Sequence, residues 1–190
     1  LGAVAVRDEL RPEAVAVVAE LRRLGIERVA MLTGDNRLTA TALGEAAGVD
    51  ETHAELLPED KVRIVEDLRA RGAVAMVGDG INDAPALATA DVGLAMGAMG
   101  SDVAIEAADV ALMGEDLTHL PEVLDHARRA ARIMRQNLVL SGGIIGILIP
   151  LAALGVLGLA TVVATHELAE VLVIANGVRA GRRTATTPHV

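Results

Sequence analysis

The sequence predicts an α/β domain, built on a doubly wound parallel sheet, followed by a hairpin of two transmembrane helices. Short apolar runs alternate with amphipathic helices over residues 1–127, a pattern typical of parallel sheets. The net charge changes from −14 over residues 1–127 to +5 over residues 128–190. Residues 138–165 carry no charge over 28 positions, which exceeds the ~20 residues that one membrane-spanning helix needs.

The strands and helices of residues 1–127 follow from apolar runs and from the residues that begin and end helices. Pro12 and Pro58 suit a first helical turn, where the missing N–H is harmless, and Gly48 suits a helix end. The predicted strands are residues 3–6, 28–32, 52–56, 73–77, 92–95 and 110–112. The predicted helices are residues 11–24, 37–47, 58–71, 85–89 and 102–107, and a last one that starts near Leu117 and continues into the membrane.

The composition excludes several classes of function. The chain has no Cys, Phe, Tyr or Trp, which excludes a disulfide scaffold, a zinc finger, a cysteine nucleophile and base stacking on aromatic rings. The excess of acidic residues argues against nucleic-acid binding. The mean hydropathy of +0.44 favours membrane segments. Because the first residue is leucine, we expect the chain to be part of a longer protein.

The uncharged stretch predicts two membrane spans, at residues 138–154 and 157–178, joined by a turn at Gly155 and Gly158. Arginines lie before the first span and after the second, and none lies in the turn, so both ends are predicted to be cytoplasmic. One long buried core helix is the alternative, but Pro150 and the nearby glycines disfavour it. Residues 128–180 thus form the predicted membrane part, and residues 181–190 a disordered cytoplasmic tail.

Two predicted strands end in loops that carry carboxylates. Thr33-Gly34-Asp35 follows one strand, and residues 78–83 (Gly-Asp-Gly-Ile-Asn-Asp) follow the other. Ligands of open parallel sheets bind beyond the carboxyl ends of the strands, and Asp79 and Asp83 offer the oxygen ligands that Mg²⁺ prefers. The alternative for a single aspartate is a turn or a helix cap. The second loop is not a dinucleotide fingerprint, because Asp83 occupies the place of its third glycine.

Lys61 is the one lysine among the 17 basic residues. It lies at the start of a predicted helix, where its compact charge could neutralise a phosphoryl oxygen. The alternative is an ordinary surface lysine.

Three motifs resemble the phosphorylation domain of P-type cation-transporting ATPases, which belong to the haloacid-dehalogenase-like superfamily. They are residues 31–36 (Met-Leu-Thr-Gly-Asp-Asn), 58–61 (Pro-Glu-Asp-Lys) and 76–87 (Met-Val-Gly-Asp-Gly-Ile-Asn-Asp-Ala-Pro-Ala-Leu). The motifs are long, occur in the order of the family, and are very specific in combination. Because two membrane spans follow, the chain looks like the heavy-metal subgroup, and its first part like a partial phosphorylation domain.

The resemblance implies a role for each residue of these motifs. Thr33 would hydrogen-bond the phosphoryl group, and Lys61 would stabilise its charge. Asp79 would coordinate Mg²⁺, with Asn82 and Asp83 supporting the phosphate site and Asp83 as a further Mg²⁺ ligand. The residues implied to lie near the phosphate and nucleotide are Gly34, Asp35, Gly78 and Gly80.

The chain lacks the nucleophile of the family, the aspartate of an Asp-Lys-Thr-Gly-Thr motif. The nucleotide-binding domain through which ATP would act is missing too. We therefore expect this chain to be part of an ATP-driven transporter, and we expect the chain by itself not to hydrolyse ATP. A stand-alone phosphohydrolase would need a nucleophilic aspartate after the first strand, and residues 1–8 contain none in the right context. The alternative is a non-catalytic membrane-anchored module that binds Mg²⁺ or phosphate without turnover.

Three ionisable residues, His166, Glu167 and Glu170, lie inside the second predicted span. Such groups usually face a protein interior or an ion path, and His166 and Glu170 share one helical face. They are candidate ligands of a transported cation of zinc, cobalt, cadmium, iron or copper type, with helix capping or pairing to other helices as the alternative. Asn137 and Ser141, at the start of the first span, are additional candidate polar ligands. The predicted location is a bacterial plasma membrane, with a multi-pass chain in the lipid bilayer and a cytoplasmic soluble part.

Overall fold

The computed structural model describes residues 9–79, 82–97, 106–114 and 116–181. The chain divides into two compact units, of which the first ends at Pro121 and the second begins at Glu122. The predicted strand at residues 3–6 and the tail from residue 182 lie outside the described residues, and the predicted helix at 102–107 lies mostly outside them.

The first unit alternates strands and helices, and every strand pair described in it is parallel, which confirms the predicted fold class. Over the described residues the ladders form a sheet in the order β1-β2 and a second in the order β3-β4-β5. The elements in chain order are α1 (Ala14–Arg23), β1 (Ala30–Leu32), α2 (Arg37–Ala47), β2 (Glu51–His53), α3 (Pro58–Arg69), β3 (Ala75–Gly78), α4 (Ala84–Thr89), β4 (Val92–Met96) and β5 (Val110–Leu112).

Capping residues set the helix boundaries. The Asn36 side chain accepts a hydrogen bond from the Thr39 N–H at 3.0 Å, and α2 ends at Gly48, whose φ of 75° is left-handed. The predicted start of α1 at Arg11 is wrong by three residues. The Ala14 N–H donates to the Arg11 carbonyl at 3.0 Å, so residues 11–13 form a turn before the helix.

One apolar cluster lies between α3, α4 and the second sheet. Leu32, at the end of β1, packs against this cluster, so side-chain packing joins the two sheets. Gly93 in β4 lies close to α4, and a Cβ there would be 2.7 Å from the Leu87 carbonyl oxygen. The buried members of the cluster are Val65, Met76, Ala86, Leu87 and Ala95.

Aspartates hold parallel strands together at their amino ends. The Asp50 N–H donates to the Val29 carbonyl at 2.8 Å, and Asp50 Oδ2 accepts the Val29 N–H at 2.8 Å. Asp91 makes the same pair of bonds with Val74, at 3.0 and 2.9 Å. Each carboxylate replaces a backbone acceptor at the point where the ladder begins, so the peptide groups there are paired.

The same arrangement recurs before β5, where Asp109 exchanges both bonds with Gly93 at 2.9 Å. Two of the three aspartates also bind an arginine of a preceding helix. Arg22 of α1 lies 2.7 Å from Asp50, and Arg69 of α3 lies 2.9 Å from Asp91. The Arg69 hydrogen bond, with the Val74 N–H, lowers the pKa of the Asp91 carboxyl.

Two long helices end the described chain, α5 (His119–Ala153) and α6 (Leu159–Val178), and a 3₁₀ turn (Arg179–Gly181) follows them. All of α6 and all but the first three residues of α5 belong to the second unit. Both helices are long and apolar enough to cross a membrane. The uninterrupted α5 confirms the prediction that the helix near Leu117 continues into the apolar stretch. The turn between the helices lies where it was predicted, with Gly155 at a left-handed φ of 70°.

Polar side chains connect the two long helices at one end. Asn176 of α6 donates to Asn137 Oδ1 of α5 at 2.8 Å, and Asn137 donates to the Val173 carbonyl at 3.2 Å. Arg179 donates to Asn176 Oδ1 at 2.9 Å. Asn137 was a candidate cation ligand from the sequence, but its oxygen and nitrogen are both engaged by α6.

Candidate functional site

The loop after β1 is organised by Thr33. The Thr33 hydroxyl donates to Asp35 Oδ2 at 2.7 Å, and it accepts the Asp35 N–H at 3.2 Å. Thr33 is half-buried and Asp35 is exposed. The hydroxyl is therefore held in one orientation at the end of the strand, with the carboxylate beside it open to solvent.

This loop is bound to the segment that precedes α3. The Glu55 N–H donates to the Asp35 carbonyl at 2.8 Å, and the Leu56 N–H donates to the Thr33 carbonyl at 3.1 Å. Glu55 has a left-handed φ of 59°, which is uncommon for a residue with a side chain. A Cβ on Gly34 would lie 3.4 Å from the Leu56 oxygen. Glutamate carries no turn signal, so the sequence does not predict this conformation of Glu55.

Lys61 contacts the loop that follows β3. Its ammonium nitrogen lies 2.6 Å from Asp83 Oδ1, and each side chain is only 14% exposed. Gly78 permits this position of the carboxylate, since a Cβ at Gly78 would lie 2.6 Å from Asp83 Oδ2. The contact brings together two residues that lie 22 positions apart in different motifs.

These contacts connect all three motifs. The loop after β1 binds the residues that lead into α3, and the first turn of α3 places Lys61 against the loop after β3. A hydroxyl, a held ammonium group and several carboxylates thus lie along one connected set of loops. Such a set can orient an anionic group and neutralise its charge.

Asp79 and Asn82 complete the described part of the second loop, and both are exposed. Gly80 lies outside the described residues. Within the part of the chain that the structure describes, no group of three His, Asp or Glu side chains could hold a metal ion. Mg²⁺ commonly takes one or two carboxylates and completes its shell with phosphate oxygens and water, so an exposed aspartate at a strand end fits a site shared with a phosphate.

This chain is similar in sequence and in structure to several known proteins. Residues 1–91 match the family model described as haloacid dehalogenase-like hydrolase. The chain is 68% identical over 182 residues to the probable cation-transporting ATPase G of Mycobacterium tuberculosis, and 45% identical over 180 residues to the manganese-exporting P-type ATPase of Mycobacterium leprae. It resembles the crystal structure of a zinc-transporting PIB-type ATPase in the E2.Pi state, with a TM-score of 0.86 and 43% identity.

The chain is homologous to the heavy-metal P-type ATPases. The matches cover 96% and 94% of this chain but only 24% and 25% of the two curated relatives, and 93% of this chain against 29% of the zinc-transporting ATPase. The chain thus spans about a quarter of the length of the curated relatives it matches. Its two candidate membrane helices agree with homology to membrane transporters.

The residues predicted as ligands of a transported cation lie on α6. His166, Glu167 and Glu170 are exposed, and they are not part of any three-residue metal group among the described residues. Their predicted role remains a prediction.

Proposed function

We propose that this chain supplies the phosphoryl-site residues and the last two membrane helices of an ATP-driven heavy-metal transporter. The observation that carries the proposal is the largely buried Lys61–Asp83 pair at the end of β3. A lysine held by an aspartate beside loops that expose further carboxylates suits phosphoryl transfer, which depends chiefly on positioning and charge neutralisation. Homology to cation-transporting ATPases gives the proposal its reaction class.

Each residue has a defined task in this proposal. Asp83 occupies one of the three donors of the Lys61 ammonium group, which leaves donors for phosphoryl oxygens. In this proposal the Thr33 hydroxyl turns its one proton from Asp35 Oδ2 to an oxygen of the same phosphoryl group. Asp79 is the ligand for Mg²⁺, which would neutralise phosphoryl charge when bound, and Asn82 supports the phosphate.

The covalent step needs an aspartate that these 190 residues do not contain. In the proposed reaction a carboxylate oxygen of that aspartate bonds to the γ-phosphorus of ATP, and the bond to the β-phosphate oxygen breaks and releases ADP. Neither the Asp-Lys-Thr-Gly-Thr motif nor a nucleotide-binding domain occurs in the sequence. The chain alone is therefore proposed to be inactive, and the longer transporter active.

The cargo is proposed to be a heavy-metal cation. His166, Glu167 and Glu170 of α6 offer imidazole and carboxylate ligands, which suit zinc, cobalt, cadmium, iron or copper. The names of the relatives specify different metals, manganese in one and zinc in another, so the proposal stays at this class. The proposed location is a bacterial plasma membrane, with the first unit in the cytoplasm.

A chimera tests the proposal. The matching 182-residue segment of the probable cation-transporting ATPase G of Mycobacterium tuberculosis is replaced by this chain, and the product is incubated with Mg²⁺ and ATP labelled at the γ-phosphate. We expect a Mg²⁺-dependent acyl phosphate that hydroxylamine removes, and no label on this chain alone. Asp79→Asn in the chimera should abolish the label.

Asp67→Asn is the matched control, because Asp67 is an exposed aspartate on α3 outside the proposed site. It should leave the label unchanged. Labelling of this chain alone would refute the claim that the chain lacks the nucleophilic aspartate. A folded but unlabelled chimera would favour the alternative, a membrane-anchored module without turnover.

A further inference from the structure

An unusual arginine pattern lies where α5 approaches its apolar stretch. Residues 127–165 contain four arginines and no acidic residue. Three of them, Arg128, Arg132 and Arg135, follow the i, i+4, i+7 spacing, so they lie within an arc of about 60° on one helix face. All three are exposed. These three residues are called the arginine stripe below.

The fourth arginine differs in its partner. Arg129 lies on another face of α5 and pairs with Asp125 one turn earlier, at 2.8 Å. The hydrogen bonds and ion pairs of the described residues include no member of the arginine stripe. Three guanidinium groups are therefore available for an anionic partner, while the fourth is already paired.

The distances from these arginines to the start of the predicted span indicate which anionic partner they can reach. With a rise of 1.5 Å per residue, Arg135 lies about 4.5 Å before Leu138, and Arg128 about 15 Å before it. Leu138 and Val139 are exposed apolar residues, 72% and 70% accessible, that begin the predicted span. A headgroup layer several ångströms thick adjoins the hydrocarbon core, so the stripe starts at the depth of lipid phosphates.

We propose that the arginine stripe binds the headgroups of anionic phospholipids at the membrane boundary of α5. Guanidinium groups bind phosphate oxygens with paired hydrogen bonds, and the absence of acidic residues over the adjoining sequence favours anionic over zwitterionic lipid. The contribution of each arginine to lipid binding decreases from Arg135 to Arg132 to Arg128 as the distance from the membrane increases, because salt screens charge interactions over about 10 Å. The inference rests on the proposed membrane placement of the hairpin.

The absence of tryptophan makes a direct test possible. In the variant Leu138→Trp of the full chain, the introduced indole is the only one and lies one turn beyond Arg135. The protein is reconstituted into equimolar vesicles of phosphatidylcholine and phosphatidylglycerol, with bromine atoms on the acyl chains of one lipid or the other. Quenching of the indole fluorescence then reports which lipid lies beside the stripe.

We expect stronger quenching by brominated phosphatidylglycerol than by brominated phosphatidylcholine. Replacing all three stripe arginines by glutamine should remove this preference, and single replacements should reduce it by up to about five-fold each, most at Arg135. Salt near 1 M should weaken it, since the screening length then falls to about 3 Å. Far-UV circular dichroism checks that each variant stays helical.

Arg129→Gln is the matched control, because it removes one arginine from the same helix without touching the stripe. It should leave the preference unchanged. Equal quenching by both lipids, or an Arg129→Gln effect as large as that of Arg135→Gln, would overturn the inference. If neither lipid quenches the introduced indole, the hairpin is not in the bilayer, and the membrane placement in the proposed function fails as well.

Discussion

Helix α3 holds an ion pair at each end, and the two pairs differ in burial and in partners. Lys61 in its first turn binds Asp83 beyond the carboxyl end of β3, with both side chains 14% exposed. Arg69 in its last turn binds Asp91 before the amino end of β4, with side chains 44% and 37% exposed. One helix therefore connects both ends of the same parallel strands.

The partners show which pair serves the fold. Both oxygens of Asp91 are engaged, Oδ1 by Arg69 and Oδ2 by the Val74 N–H, so its carboxylate closes the start of the ladder. Asp83 instead holds a lysine, and one contact leaves that ammonium group with unused donors. Asp91 thus serves the fold, whereas the lysine bound to Asp83 keeps donors with which it can bind a ligand.

Among single substitutions at the two ion pairs, the largest effect is expected from a change that separates Lys61 from Asp83. Gly78→Ala would place a Cβ 2.6 Å from Asp83 Oδ2 and displace the carboxylate from Lys61. In the chimera, acyl-phosphate formation should fall by on the order of 10²-fold, the effect of losing one charge-stabilising donor. Quench-flow measurement of the labelled intermediate gives the rate.

Gly72→Ala is the control for this experiment, because nothing lies within 4 Å of a Cβ at Gly72. Its rate should match that of the parent. A Gly78→Ala chimera with the parental rate would show that the position of Asp83 is unimportant for phosphoryl transfer.

A smaller effect concerns the pair at the amino end and its dependence on pH. The pKa of Asp91 is lowered by Arg69 and by the Val74 N–H, so its carboxylate stabilises the fold above the unfolded pKa of about 4. This contribution is lost as the pH falls through the lower folded pKa. Asp91→Asn should increase amide hydrogen exchange in β3 and β4 several-fold at pH 7, with a ratio to the parent that narrows below about pH 4.

Asp67→Asn, on the exposed surface of α3, again provides the comparison and should leave exchange unchanged at both pH values. If the ratio for Asp91→Asn is the same at acidic and neutral pH, the carboxylate charge makes no contribution to the ladder.

The smallest effect concerns an uncharged contact, between Asn137 and Asn176 of the two long helices. Asn176→Ala should weaken their association by about 0.6 kcal/mol, the average for hydrogen bonds between helices within a membrane. Energy transfer between dyes on α5 and α6 during a detergent titration measures this. Thr165→Ala is the control, because its hydroxyl bonds the Thr161 carbonyl of its own helix. An effect as large as that of Asp91→Asn would contradict the ranking.

The sequence predicted the elements well where local chemistry sets them. Helix α2 has the predicted bounds, residues 37–47, and ends at Gly48 as predicted, because a cap acts within its own turn. The start of α1 was wrong because Arg11 and Pro12 form a turn of their own. The two separate ladders were not predicted, since strands of three residues leave their pairing to tertiary packing.

The site residues were identified from motifs, but their contacts were not. Lys61 and Asp83 lie 22 residues apart, and spacing alone does not show that they meet. Likewise, the sequence did not show that Asn137 has a hydrogen-bond partner, because that partner, Asn176, lies 39 residues further along the chain. Asn137 was therefore interpreted as a candidate cation ligand. The left-handed Glu55 had no signal at all, because its conformation is imposed by hydrogen bonds to another loop.

Neutralising the pair at each end of α3 in the chimera tests the central claim most directly. Lys61→Met with Asp83→Asn, and Arg69→Met with Asp91→Asn, each remove a pair without leaving a lone charge, and such replacements are often tolerated by the fold. We predict that the first double variant folds but loses acyl-phosphate formation by about 10²–10³-fold, while the second stays within about three-fold of the parent. A folded Lys61→Met/Asp83→Asn chimera that is phosphorylated at the parental rate would contradict the assignment of this site to phosphoryl transfer.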